Sequence, residues 1–323
     1  MKKILISIPI ILVLGIICLL CYVKFALPNV GAAPDITIKS TPEVIARGKY
    51  LAHSVCVCID CHSTRDWSKF AAPLIENTYG KGGELFDEKF GFPGKFTSKN
   101  ITPFGVLSWT DGELYRAITC GVSKDGHALF PIMPYKYYAG LDPEDVKAVI
   151  AYIRTLQPIE YTPEASVPAF PMNFIINTIP QKNTQNAVLP SKDDTLAYGK
   201  YMTNAAGCME CHTKQDKGQQ LKGMEYAGGF EFALLNGTVR SANITPHQTG
   251  IANLSKSQFI NRFKSYADSS YKPTDVGKGF QTVMPWMMYA QMDTTDLGAI
   301  YTYLRTVPPV ENKVVKFTAY KGM

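Results

Sequence analysis

Two short stretches gather the side chains best able to do chemistry: Cys58-Ile59-Asp60-Cys61-His62 and Cys208-Met209-Glu210-Cys211-His212. Two thiols separated by two residues and followed at once by an imidazole form the pattern by which c-type haem is attached. The sulfurs would form thioethers to the porphyrin, and the adjacent histidine is placed to bind the iron. With 5 histidines in 323 residues, the odds that both pairs are followed by histidine by chance are about one in 4,000. A four-cysteine zinc site would hold its pairs about 15 to 20 residues apart, and here the separation is near 150. A thioredoxin-like redox pair would need a βαβ setting, which the sequence does not offer.

The second axial ligand decides what such an iron can do, because a methionine closes it to substrates whereas an open position permits catalysis. Met133 lies 71 residues past His62 and Met284 lies 72 past His212. Each precedes a proline, which holds the backbone extended at the ligand itself. The expected iron ligands are therefore His62 with Met133 and His212 with Met284. His53, His127 and His247 have no counterpart in the other half and are read as loop or surface residues. Asn100-Ile101-Thr102-Pro103 recurs as Asn243-Ile244-Thr245-Pro246. Asn100, Thr102, Asn243 and Thr245 either donate to haem propionates, which need donors when buried, or form a plain turn. Cys56 and Cys120 fall outside the scheme, and a disulfide between them is one of two open states.

These motifs must be positioned by a repeated unit. At an offset near 151, Gly48-Lys49-Tyr50 falls on Gly199-Lys200-Tyr201, Met133-Pro134 on Met284-Pro285, and Ala151-Tyr152-Ile153-Arg154-Thr155 on Thr302-Tyr303-Leu304-Arg305-Thr306. The first copy has extra residues after its cysteine motif and the second an insertion around Ala267 to Phe280, which marks both as loops. Within each copy the spacing predicts three helices. Thr41-Pro42-Glu43, and Ser191 with Asp194, start the first; Thr110 with Glu113, and Ser255 with Gln258, are capping boxes for the second. The third begins at Asp142 or Asp293 and carries an apolar stripe, Val146, Val149, Ile150 and Ile153 matching Leu297, Ile300, Tyr301 and Leu304. The expected division is 35–156 for the first domain, 157–190 for a proline-rich linker, 191–310 for the second domain and 311–323 for a tail.

Ahead of the repeat, Lys2 and Lys3 precede an apolar run from Ile4 to Val23 closed by Lys24. Twenty helical residues would span about 30 Å, a bilayer core. Residues 1–30 are thus expected to be an uncleaved anchor or, failing that, a signal segment. Cys18 and Cys21 are apolar filler within it. The composition, 46% hydrophobic and 19% charged with a net charge of +6, excludes a disordered polar chain. Residues 35–165 hold 14 basic and 16 acidic side chains and the remainder beyond holds 16 and 11; without a basic block, no nucleic-acid partner is expected.

On these motifs, with Gly-Val-Ser-Lys-Asp-Gly at 121–126 and the final Tyr-x-Arg-Thr, residues 41–156 and 191–307 resemble the two-domain, membrane-anchored dihaem members of the class I cytochrome c superfamily. They are similar to cytochrome subunits that take electrons from periplasmic alcohol or sugar dehydrogenases. The resemblance implies an all-α fold, an N-terminal transmembrane helix followed by two tandem cytochrome c domains, with Gly48 meeting Tyr152 and Gly199 meeting Tyr303. It further implies two covalently attached c-type haems and single-electron transfer rather than catalysis. The expected partners are a donor dehydrogenase or respiratory complex and an acceptor cytochrome or oxidase. The expected place is the bacterial cytoplasmic (inner) membrane, single-pass, with the haem domains on the periplasmic side. The enzyme alternatives are a dihaem peroxidase and a thiosulfate-oxidising dihaem enzyme with Cys120 as a ligand.

Overall fold

A computed structural model describes residues 2–185 and 187–320. Each copy is built on a pair of packed helices, Pro42–Tyr50 with Pro143–Ile153 in the first and Thr195–Ala205 with Thr294–Leu304 in the second. Glycine permits the contact. A Cβ on Gly48 would stand 1.8 Å from the Ala148 carbonyl oxygen and 2.9 Å from the Tyr152 Cβ; one on Gly199 would stand 2.1 Å from the Ala299 oxygen and 3.1 Å from the Tyr303 Cβ. The helices start where the caps place them. Thr41 accepts from the Val44 amide, and both capping boxes, Thr110 with Glu113 and Ser255 with Gln258, are closed. In the second copy Asp194 alone caps the first helix, accepting from the Ala197 amide, and Ser191 lies one turn upstream.

The copies are 151 residues apart at Gly48 and Gly199 but 150 apart at Cys58 and Cys208. The extra residue of the first copy is absorbed by a π-helical turn, Leu51–Val55, whereas the second copy runs as a regular α-helix to Ala205. A single π-turn is the way a helix takes up one inserted residue without losing its direction.

Strands amend the all-α expectation. Among the described residues are three small antiparallel sheets: Leu85–Phe86, Gly94–Thr97 and Val167–Pro168; Gln215–Asp216 with Gln219–Gln220; and Glu231–Leu234, Gly237–Arg240 and Phe317–Ala319. The hairpin of the third sheet turns at Leu235-Asn236, with Gly237 (φ +157°) opening the return strand. The edge strands Val167–Pro168 and Phe317–Ala319 come from the segment after each copy, so the linker and the tail are laid on the copy they follow.

The two copies meet through an exchange of equivalent groups. Tyr50 donates to the Asp296 carboxylate at 2.6 Å, and Tyr201 donates to that of Asp145 at 2.6 Å. Each hydroxyl also accepts an amide, from Asp293 and Asp142 respectively. Burial, reinforced by the neighbouring carboxylate, pushes both tyrosines well above their ordinary range, so they remain donors. The two unmatched insertions meet as well. The Phe70 amide donates to Thr274 O, the Val276 amide to Ser68 O, Lys69 pairs with Asp275 at 2.8 Å, and the Gln281 amide group bridges Ala71, Trp67 and Lys69.

At the other end, Lys2–Phe25 is one helix, and its Ile8–Phe25 stretch, with mean hydropathy 2.6, is long and apolar enough to cross a membrane. Cys18 and Cys21 lie exposed on it.

Candidate functional site

Each cysteine motif forms a single helical turn, Cys58–Cys61 and Cys208–Cys211, entered through a left-handed residue. In the second copy that residue is Gly207 (φ +61°), at no cost. In the first it is Val57 (φ +48°), a β-branched residue held where L side chains are strained.

The histidines that follow are oriented identically. The His62 Nδ1–H donates to the Lys99 carbonyl at 2.7 Å, and the His212 Nδ1–H donates to the Ala242 carbonyl at 2.7 Å. Burial lowers the pKa of both rings, partly offset by this bond. A neutral ring with its proton on Nδ1 carries a lone pair on Nε2, the state in which imidazole binds a metal.

Lys99 and Ala242 immediately precede the two Asn-Ile-Thr-Pro motifs, and this explains those motifs. Asn100 Oδ1 accepts from the amide and hydroxyl of Thr102, while its Nδ2 donates to Ile159 O and Tyr161 O. Asn243 Oδ1 accepts the same pair from Thr245, and its Nδ2 donates to Thr249 Oγ1 and Val310 O. Every donor of the four side chains is engaged within the turn. This turn clips the following chain segment down and holds in place the carbonyl that orients the histidine.

Met133 and Met284 are half-buried against the main core, which also receives Cys58 and Cys208. A tyrosine ties each Met-Pro segment to the cysteine motif of its own copy. Tyr138 donates to Cys56 O at 2.7 Å, and Tyr289 to Ala206 O at 2.6 Å. These tyrosines, five residues past each methionine, and the carbonyls of Lys99 and Ala242 are site residues that sequence reasoning missed. The signal for the tyrosines was their match at the repeat offset.

The copies differ beside the motif. In the first, buried Arg65 donates to Asp60 at 3.0 Å and to Glu84 at 2.9 Å, stacks over Trp67 at 4.3 Å, and shares Glu84 with the Trp67 indole. In the second, neutral Gln215 donates to Glu210 instead.

Of the other sequence candidates, His53 meets Tyr152 Oη at 2.6 Å through Nε2, and His247 accepts from the Thr249 amide in its own turn. Cys56 and Cys120 are both buried and unbonded. Cys56 sits in the main core and Cys120 in a separate cluster with Val30 and Val122, so the disulfide between them is not formed.

The donor set suits a covalently held haem better than a bare metal ion or a dithiol redox pair. Burial pushes the thiols of Cys58, Cys61 and Cys208 up to about 12, far from the thiolate that thiol exchange requires. Among the described residues no group of three His, Cys, Asp or Glu side chains could hold a metal ion. The Tyr135 hydroxyl, two residues past Met133, is buried with no hydrogen-bond partner. A buried polar atom left so calls for a further group beside it.

Comparison with known proteins agrees. Residues 196–308 match the family model described as Cytochrome c, so the chain carries a cytochrome c domain. The chain is 26% identical over 295 residues to the "Alcohol dehydrogenase (quinone), cytochrome c subunit" of Gluconacetobacter polyoxogenes, covering 87% of this chain and 59% of that one. It is 28% identical over 299 residues to the "Diheme cytochrome c-type" of Cereibacter sphaeroides, 85% of this chain and 92% of that one. The "Fructose dehydrogenase cytochrome subunit" of Gluconobacter japonicus is 28% identical over 277 residues, 82% of this chain and 52% of that one. The chain thus spans little more than half the length of the dehydrogenase subunits it matches.

Proposed function

We propose that this chain, with its cytochrome c domain at 196–308 and the same site built a second time around Cys58, is an electron-transfer protein with two covalently bound c-type haems. Cys58, Cys61, His62 and Met133 would hold one, and Cys208, Cys211, His212 and Met284 the other. Haem bound in this way supplies a one-electron couple between ferric and ferrous iron. The observation that carries the reading is the matched pair of Nδ1–H to carbonyl bonds at 2.7 Å, from His62 to Lys99 and from His212 to Ala242. Two copies that orient their histidines identically are built for the same ligation.

The chain's own part is to keep that ligation unchanged as charge comes and goes. The Lys99 and Ala242 carbonyls fix the histidine rings, Tyr138 and Tyr289 pin the methionine segments, and the Gly48 and Gly199 contacts close the helix pairs behind them. By likeness to relatives named as cytochrome subunits, the protein passes electrons rather than catalysing. By likeness to relatives named as dehydrogenase subunits, the donor is a dehydrogenase or respiratory complex and the acceptor a cytochrome or oxidase. The apolar N-terminal helix tethers the haem domains to the periplasmic side of the cytoplasmic membrane. The placement of Cys120 with Val30 and Val122, apart from Cys58, weighs against a cysteine-ligated enzyme.

The decisive measurements are haem content and spectrum. Two haems per chain are expected by pyridine haemochrome assay, falling to one in the Cys58→Ser, Cys61→Ser double variant. A weak absorption band at the red end of the visible, with the intensity of two ferric His/Met haems, is expected in the oxidised protein. A high-spin ferric spectrum from either haem would overturn the reading.

A further inference from the structure

Where the N-terminal helix ends, a second apolar surface begins, and neither haem copy uses it. The Asn177 Nδ2 donates to the Val23 carbonyl at 3.2 Å, and Lys24 Nζ lies 5.9 Å from the centre of the Phe174 ring. Phe174 in turn meets Phe170 edge-on at 6.5 Å. Around this junction Phe25 is 84% exposed, Phe170 81%, Val167 62% and Ile175 44%. Four large apolar side chains exposed on the two segments that meet here, the helix end and the connector, mark an interaction surface rather than scattered surface residues.

Three observations say what covers it. The surface continues the Ile8–Phe25 helix, whose span is apolar on all sides and has none of its side chains buried by the rest of the chain. Asn177 is bonded to the last turn of that helix, so the connector sits at the level where a spanning helix leaves the hydrocarbon. Charge points the same way. Lys24, in the last turn of the helix, stands at this junction beside Phe174, and Lys182 follows in the connector. Apolar side chains beside cations suit the headgroup region of an anionic bilayer.

We infer that Val167 to Ile175 lie in the lipid headgroup layer beside the N-terminal helix, with Phe170 as the inserted side chain, so that the haem-carrying body is fixed over the membrane at two points rather than hung from one. This rests on the proposed membrane tether. A single helix leaves the body free to swing, while a second contact at the connector holds both copies at one height and angle.

The experiment uses the full-length holoprotein in phosphatidylcholine–phosphatidylglycerol vesicles, with photoreactive p-benzoylphenylalanine placed singly at positions 17, 170 and 235. Position 17 lies within the apolar helix, and position 235 replaces Leu235, an exposed apolar residue on a hairpin of the second copy. Lipid adducts are expected at 17 and 170 and not at 235. Adducts at 17 without adducts at 170 overturn the inference and leave the tether standing. No adducts at 17 overturn the tether, and the inference falls with it. Equal adducts at 170 and 235 reduce the labelling to mere exposure and also overturn it.

Discussion

Tyr50 and Tyr201 stand at the same position in the two copies, and each donates a hydrogen bond from its hydroxyl to a carboxylate of the other copy. The receiving aspartates are as matched as the donors, Asp296 at 0% and Asp145 at 4% exposure. A carboxylate so buried needs every partner it has. The two differ in what else they hold. Arg47 grips Asp145 through two bonds of 2.8 and 2.7 Å. Asp296 keeps Tyr198 at 3.0 Å and a half-exposed Lys192 at 3.5 Å.

Tyr50→Phe is therefore expected to cost more stability than Tyr201→Phe, each within about 1–3 kcal/mol for a buried acceptor deprived of one donor. Denaturant unfolding of the two variants measures the difference. An equal or reversed order would show that the Arg47 pairing does not compensate.

Gly48→Ala and Gly199→Ala put a methyl group into backbone, 1.8 and 2.1 Å from carbonyl oxygens that cannot swing aside. Each variant is expected to lose about 1–3 kcal/mol or more, seen as a lowered unfolding midpoint and a lower yield of haem-loaded protein. A variant with the wild-type midpoint would mean that the helices separate without cost.

Asn100→Ala removes the clip beneath the Lys99 carbonyl. The expected result is a loss of about 1–3 kcal/mol with a shift in reduction potential confined to one haem. Asn243→Ala should shift the other haem instead. Redox titration of the two variants reads this directly, and a shift of the same haem by both would break the link from each motif to its own histidine.

The His53 imidazole is held down at about 4 against an ordinary 6.5, first by burial and then by the charge of Lys49. Above pH 6.5 the ring is neutral whether the chain is folded or not, and it adds nothing. Between 6.5 and 4 only the unfolded chain takes the proton, so stability falls as pH falls through that window. The share due to this ring is on the order of 2–3 kcal/mol. His53→Asn, which copies Asn204 at the equivalent position, should lose less stability than the wild type between pH 7 and pH 4.5. Identical losses would assign the pH dependence elsewhere.

What was legible in the sequence was what local spacing decides. The cysteine motifs, the capping boxes at Thr110 and Ser255, and the apolar stripe from Val146 to Ile153 depend on neighbours a few residues away. The family resemblance extended that reach to Gly48 and Tyr152. The Asn-Ile-Thr-Pro motifs were half legible: their residue types admitted a turn, but its partners Ile159 and Val310 lie about 60 residues further on. The contact of the insertions at Ser68–Ala71 and Thr274–Val276 was hidden because each insertion lacked a counterpart in the other copy, and nothing local says that two unmatched loops fit one another. The strands failed for a related reason. Val167 and Phe317 find their partners across long stretches of chain.

The Tyr–Asp exchange has the form of an isologous contact, the kind by which identical subunits close a symmetric dimer. Here the two halves are joined in one chain, and the sequence of each is free to change while the joint is kept. Arg47 and Tyr198, His53 and Asn204, and Arg65 and Gln215 are equivalent positions that have already parted. A homodimer would have to present the same surroundings to both of its haems. This chain keeps a dimer's interface and is released from a dimer's sameness, so the two proposed haem sites can be set apart in potential by single substitutions on one side only.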